Sequence, residues 1–324
     1  MPWVDTRSVH TSMTTLSRLS ASVLINSYNY RRYLGEAIES ATSQTCAPCE
    51  VIVVDDGSTD GTAEWLRAEL VGRDPRVRVI SQPNAGQLAA IETAVAAATG
   101  DVLFFLDADD TWAPDYLAAV HARLAARPEV DYVFSGHVRS DGAPSDVLGE
   151  TRDRRLGRRS AQAYATGKFP ISMTSTLAMR ATLARRFLPT PPGLAPEWKT
   201  DADQVLALGA ALAGGCGDYL SHPRVLYRIH GANHYAGRVR PRDAVSRELG
   251  RARTERARAA LVLRLGLGSD TVNRIGAEFA TIERPTWREF RRALRTAARA
   301  SGARERLRLL AAVCVRYLWR RSEG

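Results

Sequence analysis

The feature that most constrains this chain is a run of five apolar residues, Val102-Leu103-Phe104-Phe105-Leu106, ending in Asp107-Ala108-Asp109-Asp110. Such an unbroken run, entered from Gly100-Asp101, predicts a strand covered on both faces by helices. Three other segments share the pattern. Ser22-Val23-Leu24-Ile25 ends in Asn26-Ser27-Tyr28-Asn29, Val51-Ile52-Val53-Val54 ends in Asp55-Asp56-Gly57-Ser58, and Val77-Arg78-Val79-Ile80 leads to Pro83-Asn84-Ala85-Gly86. Between them the spacing turns helical: Leu34, Ala37, Ile38 and Ala41 share one face, Trp65, Leu66 and Leu70 follow Thr62, and 87–98 is alanine-rich. Strand and helix alternating in this way predict an α/β protein with a parallel, doubly wound sheet. Consecutive parallel strands finish on one edge, where open sheets take their ligands. The polar ends of these strands are therefore expected to converge on one crevice.

Asp107 and Asp109, two apart as the chain leaves a strand, can point the same way and share a divalent cation. Their oxygen donors suit Mg²⁺ or Mn²⁺; the alternative is a solvated acidic turn. Asp55-Asp56-Gly57-Ser58 offers an acceptor for a base imide and a carboxylate for ribose hydroxyls, or else is a capped strand-to-helix turn. No Gly-x-Gly-x-x-Gly or Gly-x4-Gly-Lys-Ser/Thr loop follows the first strand, which argues against dinucleotide enzymes and P-loop NTPases. Phosphates bound here would then need a metal to neutralise them.

At 324 residues, 45% apolar and 25% charged, the chain has enough material for a sizeable soluble core. Cys46, Cys49, Cys216 and Cys314 are too few for a disulfide framework, and Cys46-Ala-Pro-Cys49 lacks the second pair of a metal site. Reduced thiols in a cytoplasmic compartment are expected. Residues 1–20 carry no signal-peptide core and read as a disordered leader. Further on, 114–126 reads as a helix, 131–135 as a strand, and the polar, arginine-bearing stretch 139–160 as a mobile loop. Strand-like 172–179, a helix over 201–213 and a last strand over 225–230 follow.

The net charge of +10 belongs to the tail: residues 240–324 hold 21 arginines and no lysine against nine acids. Such asymmetry suggests an anionic partner surface, either membrane or nucleic acid; of the two, nucleic acid is not expected. Residues 241–324 read as a basic helical extension, broken near 266–270 and at Pro285, and too short of uncharged length to span a bilayer. Two readings stand: a helix lying on the inner face of the plasma membrane, or a subdomain that packs on the core or forms a homodimer.

In order along the chain, Ser22–Asn29, Val53–Gly61, Asn84-x-Gly86-Gln87 and Phe105–Asp110 resemble the motifs of family 2 glycosyltransferases, over about residues 21–236. The resemblance implies a GT-A fold over 21–240, a Rossmann-like, mostly parallel sheet flanked by helices. It also implies a nucleoside-diphosphate sugar, a UDP-sugar foremost, bound with Mn²⁺ or Mg²⁺, and inverting transfer to a hydroxyl of a glycan, lipid-linked saccharide or small metabolite. Carried over residue by residue, it assigns Asn26, Ser27, Tyr28, Asn29, Asp55, Asp56, Asn84, Gln87 and Asp107 to the nucleotide. Asp109, with Asp107 and His230, falls to the metal, and Arg228 to the diphosphate or to structure. Tyr227–His234 resembles the family's Tyr-Arg-x-His-Gly-x-Asn segment, which closes over the diphosphate.

Inversion needs a base for the acceptor hydroxyl. Ala202-Asp203-Gln204-Val205-Leu206 resembles the family's Glu-Asp-x-x-Leu with Ala for Glu, which selects Asp203, with Asp201 as the alternative. Both would also suit the positive end of a helix. Trp198 is placed to stack on an acceptor sugar or to pack in the core. The chain departs from the family in having Asn26-Ser27 for Pro-Thr and Ile91-Glu92 for Arg-Asn. Two other readings are a catalytically silent sugar- or lipid-binding protein of the same fold, and a sugar nucleotidyltransferase. The latter would carry a glycine-rich loop with Arg where Ser27-Tyr28-Asn29-Tyr30 stand.

Overall fold

Four apolar runs do form a parallel half-sheet, in the order β3 (Val77–Ser81), β2 (Glu50–Asp55), β1 (Ala21–Ser27), β4 (Val102–Asp107). The computed structural model describes residues 19–69, 73–142, 152–231 and 244–322. Register sets Asn26 beside both Asp107 and Val54, and Ser27 beside Asp55, so the polar strand ends lie level. Alternate residues of β1 and β4 enter two different cores. Val23, Ile25, Phe104 and Leu106 meet α1 (Arg31–Thr42) and α4 (Tyr116–Ala126) on one side, and Leu24, Leu103 and Phe105 meet α3 (Gln87–Ala97) on the other. The buried side of α1 is the expected one, Leu34, Ala37, Ile38 and Ala41. A short α2 (Thr62–Glu69) links β2 to β3.

The second half of the sheet is mixed. β5 (Thr111–Trp112), β6 (Tyr132–Arg139), β7 (Arg154–Arg158), β8 (Leu177–Arg180) and β9 (Cys216–Tyr227) complete nine strands among the described residues, with α5 (Ser160–Thr166), α6 (Ala181–Phe187) and α7 (Ala202–Leu212) between them. β8 lies antiparallel between β4 and β6, β6 pairs in parallel with β9, and β5 and β7 run antiparallel to β9.

Three expectations need correction. The strand read over 172–179 begins only at Leu177, after a single 3-10 turn. The last strand starts at Cys216 and ends at Tyr227, so His230 stands beyond it; Gly217, Asp218 and Pro223 hid its length. The stretch 139–160 is not all loop, because β7 and the first residue of α5 lie in it. Three of its arginines have partners far away in sequence. Arg154 and Arg159 converge on Glu289, and Arg155 pairs with Glu129.

The C-terminal region is helical as expected: α8 (Ala244–Arg264), α9 (Ile275–Ala280), α10 (Trp287–Ala297) and α11 (Ala303–Ser322). α8 enters the main core through Ala257 and Leu261. The later helices build a core of their own around Phe279, Phe290, Val313 and Tyr317, shared with Ala161 of α5. Phe290 and Tyr317 stack at 4.1 Å, and Glu278 accepts from Ser160 and from the Ala161 N–H at 2.9 Å. One side of the extension is therefore packed on the α/β part of the chain. The expected boundary at 240, and His234, lie outside the described residues, as do 1–18 of the leader. Ser20 is anchored, donating to Asp101 through its backbone and hydroxyl at 2.9 and 2.8 Å. All four cysteines are free, and among the described residues no helix is long and apolar enough to cross a membrane.

Candidate active site

At the ends of β1 and β2 the polar residues first organise one another. Asn29 takes φ 60°, a conformation asparagine tolerates, and its side chain accepts the Thr59 N–H at 2.7 Å while its own N–H donates to Ser58 Oγ at 2.9 Å. Asp55 accepts the Ser58 N–H at 3.2 Å. Tyr28 beside them is 45% exposed. The Asp56 carboxylate, almost fully buried, accepts from Gln82 Nε2 at 2.8 Å, from the Ala85 N–H at 2.9 Å and from the Gly86 N–H at 2.8 Å. Asn84 returns a bond to the Asp56 carbonyl at 3.1 Å. Three of the roughly four lone-pair directions of Asp56 thus hold the 82–86 segment. The close approach needs glycine at 57: φ is 72°, and a Cβ there would stand 2.7 Å from the Asn84 nitrogen.

The acidic tip of β4 divides its work. Asp107 Oδ1 accepts from Asn26 at 3.1 Å and from Gln87 Nε2 at 2.8 Å. Gln87 also accepts the Ala202 N–H at 3.0 Å, so one side chain ties the strand end to the first turn of α7, which carries Asp203. Asp110 turns inward, taking Ser175 Oγ at 2.6 Å and the Arg228 N–H at 3.0 Å. Asp109 instead faces His230, with Oδ2 3.0 Å from Nε2. His230 is held by aromatic neighbours, stacked on Tyr33 at 4.7 Å and edge-on to Tyr30 at 5.8 Å. Arg228 donates through Nε to the Asp109 carbonyl at 2.9 Å, lies 5.1 Å over Tyr33, and pairs with Glu36.

Negative charge is crowded here. Burial, then Asp109, pushes the Asp107 carboxyl up to about 7. Burial, then Asp201 and Asp107, pushes Asp203 up to about 7 as well. Asp110 is raised well above the usual range for the same kind of reason, burial followed by its neighbours Asp109 and Asp107. A crevice that resists ionisation of its own carboxyls is one that a bound cation would relieve.

Among the described residues no cluster of three or more His, Cys, Asp or Glu side chains is set to hold a metal by itself. Asp109 and His230 supply two donors. They stand in hydrogen-bond contact at 3.0 Å, a carboxylate oxygen beside an imidazole nitrogen. As donor types these two would hold a divalent ion such as Mn²⁺ or Mg²⁺, which would supply charge neutralisation to a bound diphosphate.

Not every expected residue is placed at the crevice. Trp198 is 1% exposed in the core under the Arg253 guanidinium at 3.8 Å, so its ring offers no face to an acceptor sugar. Asp201, at φ 67°, is turned towards Arg253 of α8, with 3.4 Å between the charged groups. Ile91 is core, and Glu92 accepts both the N–H and the hydroxyl of Thr190 at 2.6 Å, a structural tie where the family has Arg-Asn. Ser175, Tyr33, Gln82 and Glu36 were not anticipated. Tyr30 and Tyr33 stand three apart at the start of α1, a spacing that places them on one face. Ser175 carries no local signal at all. At the end of β1, Asn26 Oδ1 and Ser27 Oγ are buried without a hydrogen-bond partner among the described residues.

The architecture is that of GT-A enzymes. Staphylococcal (S. aureus) TarS, solved with UDP-GlcNAc, aligns at TM-score 0.53 and 20% identity over 92% of this chain and 89% of that one. The mannosyltransferase PcManGT of Pyrobaculum calidifontis, solved with GDP-Man and Mn²⁺, aligns at 0.52 and 21% over 94% and 88%. Residues 22–187 match Glycosyl transferase family 2. An uncharacterised glycosyltransferase of Nostoc sp. is 32% identical over 221 residues, 67% of each chain. The chain belongs to family 2 of the glycosyltransferases, enzymes that transfer sugar from nucleotide sugars.

Proposed function

We propose that the chain moves a sugar from a UDP-sugar to an acceptor hydroxyl with inversion, assisted by a divalent cation at Asp109 and His230. The observation that carries this is the Gln87 bridge, 2.8 Å to Asp107 and 3.0 Å to Ala202, which sets the Asp203 turn against the acidic tip of β4. Asn26, Ser27, Tyr28, Asn29, Asp55, Asp56 and Asn84 surround the nucleoside end. A cation held there would stabilise the charge of the departing diphosphate. Ionised Asp203 takes the proton of the acceptor hydroxyl as its oxygen bonds to the anomeric carbon from the face opposite the breaking C–O bond. Arg228 keeps Asp109 and Asp110 oriented through its bonds to both. The UDP-GlcNAc bound by TarS and the Mn²⁺ bound by PcManGT support a nucleotide sugar and a manganese-like ion for this site. Glycan, lipid-linked saccharide and small metabolite are the acceptor classes in view. UDP-sugar hydrolysis that requires Mn²⁺, and is lost in Asp109→Ala and Asp203→Asn, tests the reading. Hydrolysis that is indifferent to both changes refutes it, and nucleotide-sugar binding without turnover would mark a silent binding protein.

A further inference from the structure

We propose that the outward side of α10 and α11 docks on an anionic lipid membrane. α11 is apolar on two sides. Leu309, Val313 and Tyr317 face the core, while Leu307, Val315, Leu318 and Trp319 face out, with Leu318 66% and Trp319 47% exposed. Exposed Arg304 and Arg308 stand among these outward residues and Arg316 lies 4.4 Å over the Trp319 ring, so this side interleaves large apolar groups with guanidiniums. An open groove between α9 and α11, lined by Gly276, Ala280, Ala312 and Trp319, continues the apolar surface.

Charge identifies the occupant. The exposed side of α10 is a stripe of Arg288, Arg291, Arg292 and Arg295, continued by Arg299 just past its end, and none has an acidic partner among the described residues. The two acids of this stretch are already engaged, Glu289 with Arg154 and Arg159, and Glu305 with Arg308. A second copy meeting this surface would bring two such stripes together with no acids to offset them. Nucleic acid would satisfy the arginines and leave exposed Leu307, Val315 and Leu318 without a role. An anionic bilayer meets both requirements: phosphates for the α10 stripe, and an acyl boundary for the α11 stripe, with tryptophan at the depth it favours. No described helix is fit to span, so the contact is one of lying on the surface.

The test is flotation of the full chain with phosphatidylcholine vesicles, with and without phosphatidylglycerol, at low and high salt. Flotation is expected only with the anionic vesicles and is expected to weaken with salt. The exposed double change Val315→Glu with Leu318→Glu should abolish it. Arg291→Gln with Arg295→Gln should weaken partitioning about 25-fold, about fivefold for each arginine. Unchanged circular dichroism and an unchanged UDP-induced thermal shift show that these variants remain folded. Equal flotation on neutral vesicles, no flotation, or full flotation of the Val315→Glu/Leu318→Glu chain overturns the proposal. So does a dimer in sedimentation that this double change dissolves.

Discussion

Replacing Asp203 by Asn should stabilise the fold while removing transfer activity, because the same burial that prepares this carboxyl as a base makes its charge costly. Burial first, then Asp201 and Asp107, raises it from 3.8 to about 7. At about 1.4 kcal/mol per pKa unit, the ionised group costs the folded state up to about 4 kcal/mol; its partly exposed rim lowers this to about 2–4 kcal/mol. The sign follows from proton linkage. Below about pH 4 the carboxyl is neutral in both states, and the variant gains little. Between about 4 and 7 the unfolded chain releases the proton that the native chain keeps, so wild-type stability falls as pH rises. Above about 7 the difference is constant and fully favours the variant. Urea unfolding of both proteins in EDTA across this range measures it, with transfer assayed in Mn²⁺. Loss of a general base lowers the rate about 10²–10⁴-fold. A variant less stable than wild type above pH 7, or one that keeps its rate, refutes the assignment.

Glu289→Gln should act oppositely. Burial opposes its charge, but Arg159 and Arg154 outweigh burial and bring the carboxyl down to about 2. Its loss leaves two buried guanidiniums uncompensated and should cost about 3 kcal/mol. That difference is complete above about pH 4.5 and vanishes as pH falls towards 2, which urea titration reads. His230→Ala should raise the Mn²⁺ needed for the UDP-dependent thermal shift at least about tenfold, with little change in metal-free stability. Gln87→Leu breaks the bridge between Asp107 and Ala202, and should lower kcat more than it raises KM, with about 1–3 kcal/mol of stability lost; steady-state kinetics separate the two effects.

The parallel half of the sheet and its polar strand ends were legible because they rest on local signals. Apolar runs of strand length, helical spacing in between and acidic residues just past Leu106 are all contained within a few residues. The elements misread are those decided at a distance. The arginines of 139–160 read as part of a mobile loop until Glu289, at least 130 residues later, takes Arg154 of β7 and Arg159 just beyond it inside. β9 begins with Cys216-Gly217-Asp218, which has no strand signature; its place comes from pairing with β6 and β7, and from Arg123 and Arg127 neutralising Asp218.

The candidate site shows the same division. Residue types at the strand ends follow from sequence, since parallel strands that alternate with helices must finish on one edge. Which carboxylate looks outward does not. Asp109 meets His230 because Ser175 and Arg228 draw Asp110 inward, and Asp203 is brought to Asp107 by a single glutamine from another helix. Backbone pattern and turn chemistry are local free energies, so one chain segment can declare them alone. Side-chain orientation, charge matching and the open or covered state of a surface depend on which distant groups share a space, and only the folded chain brings those groups together.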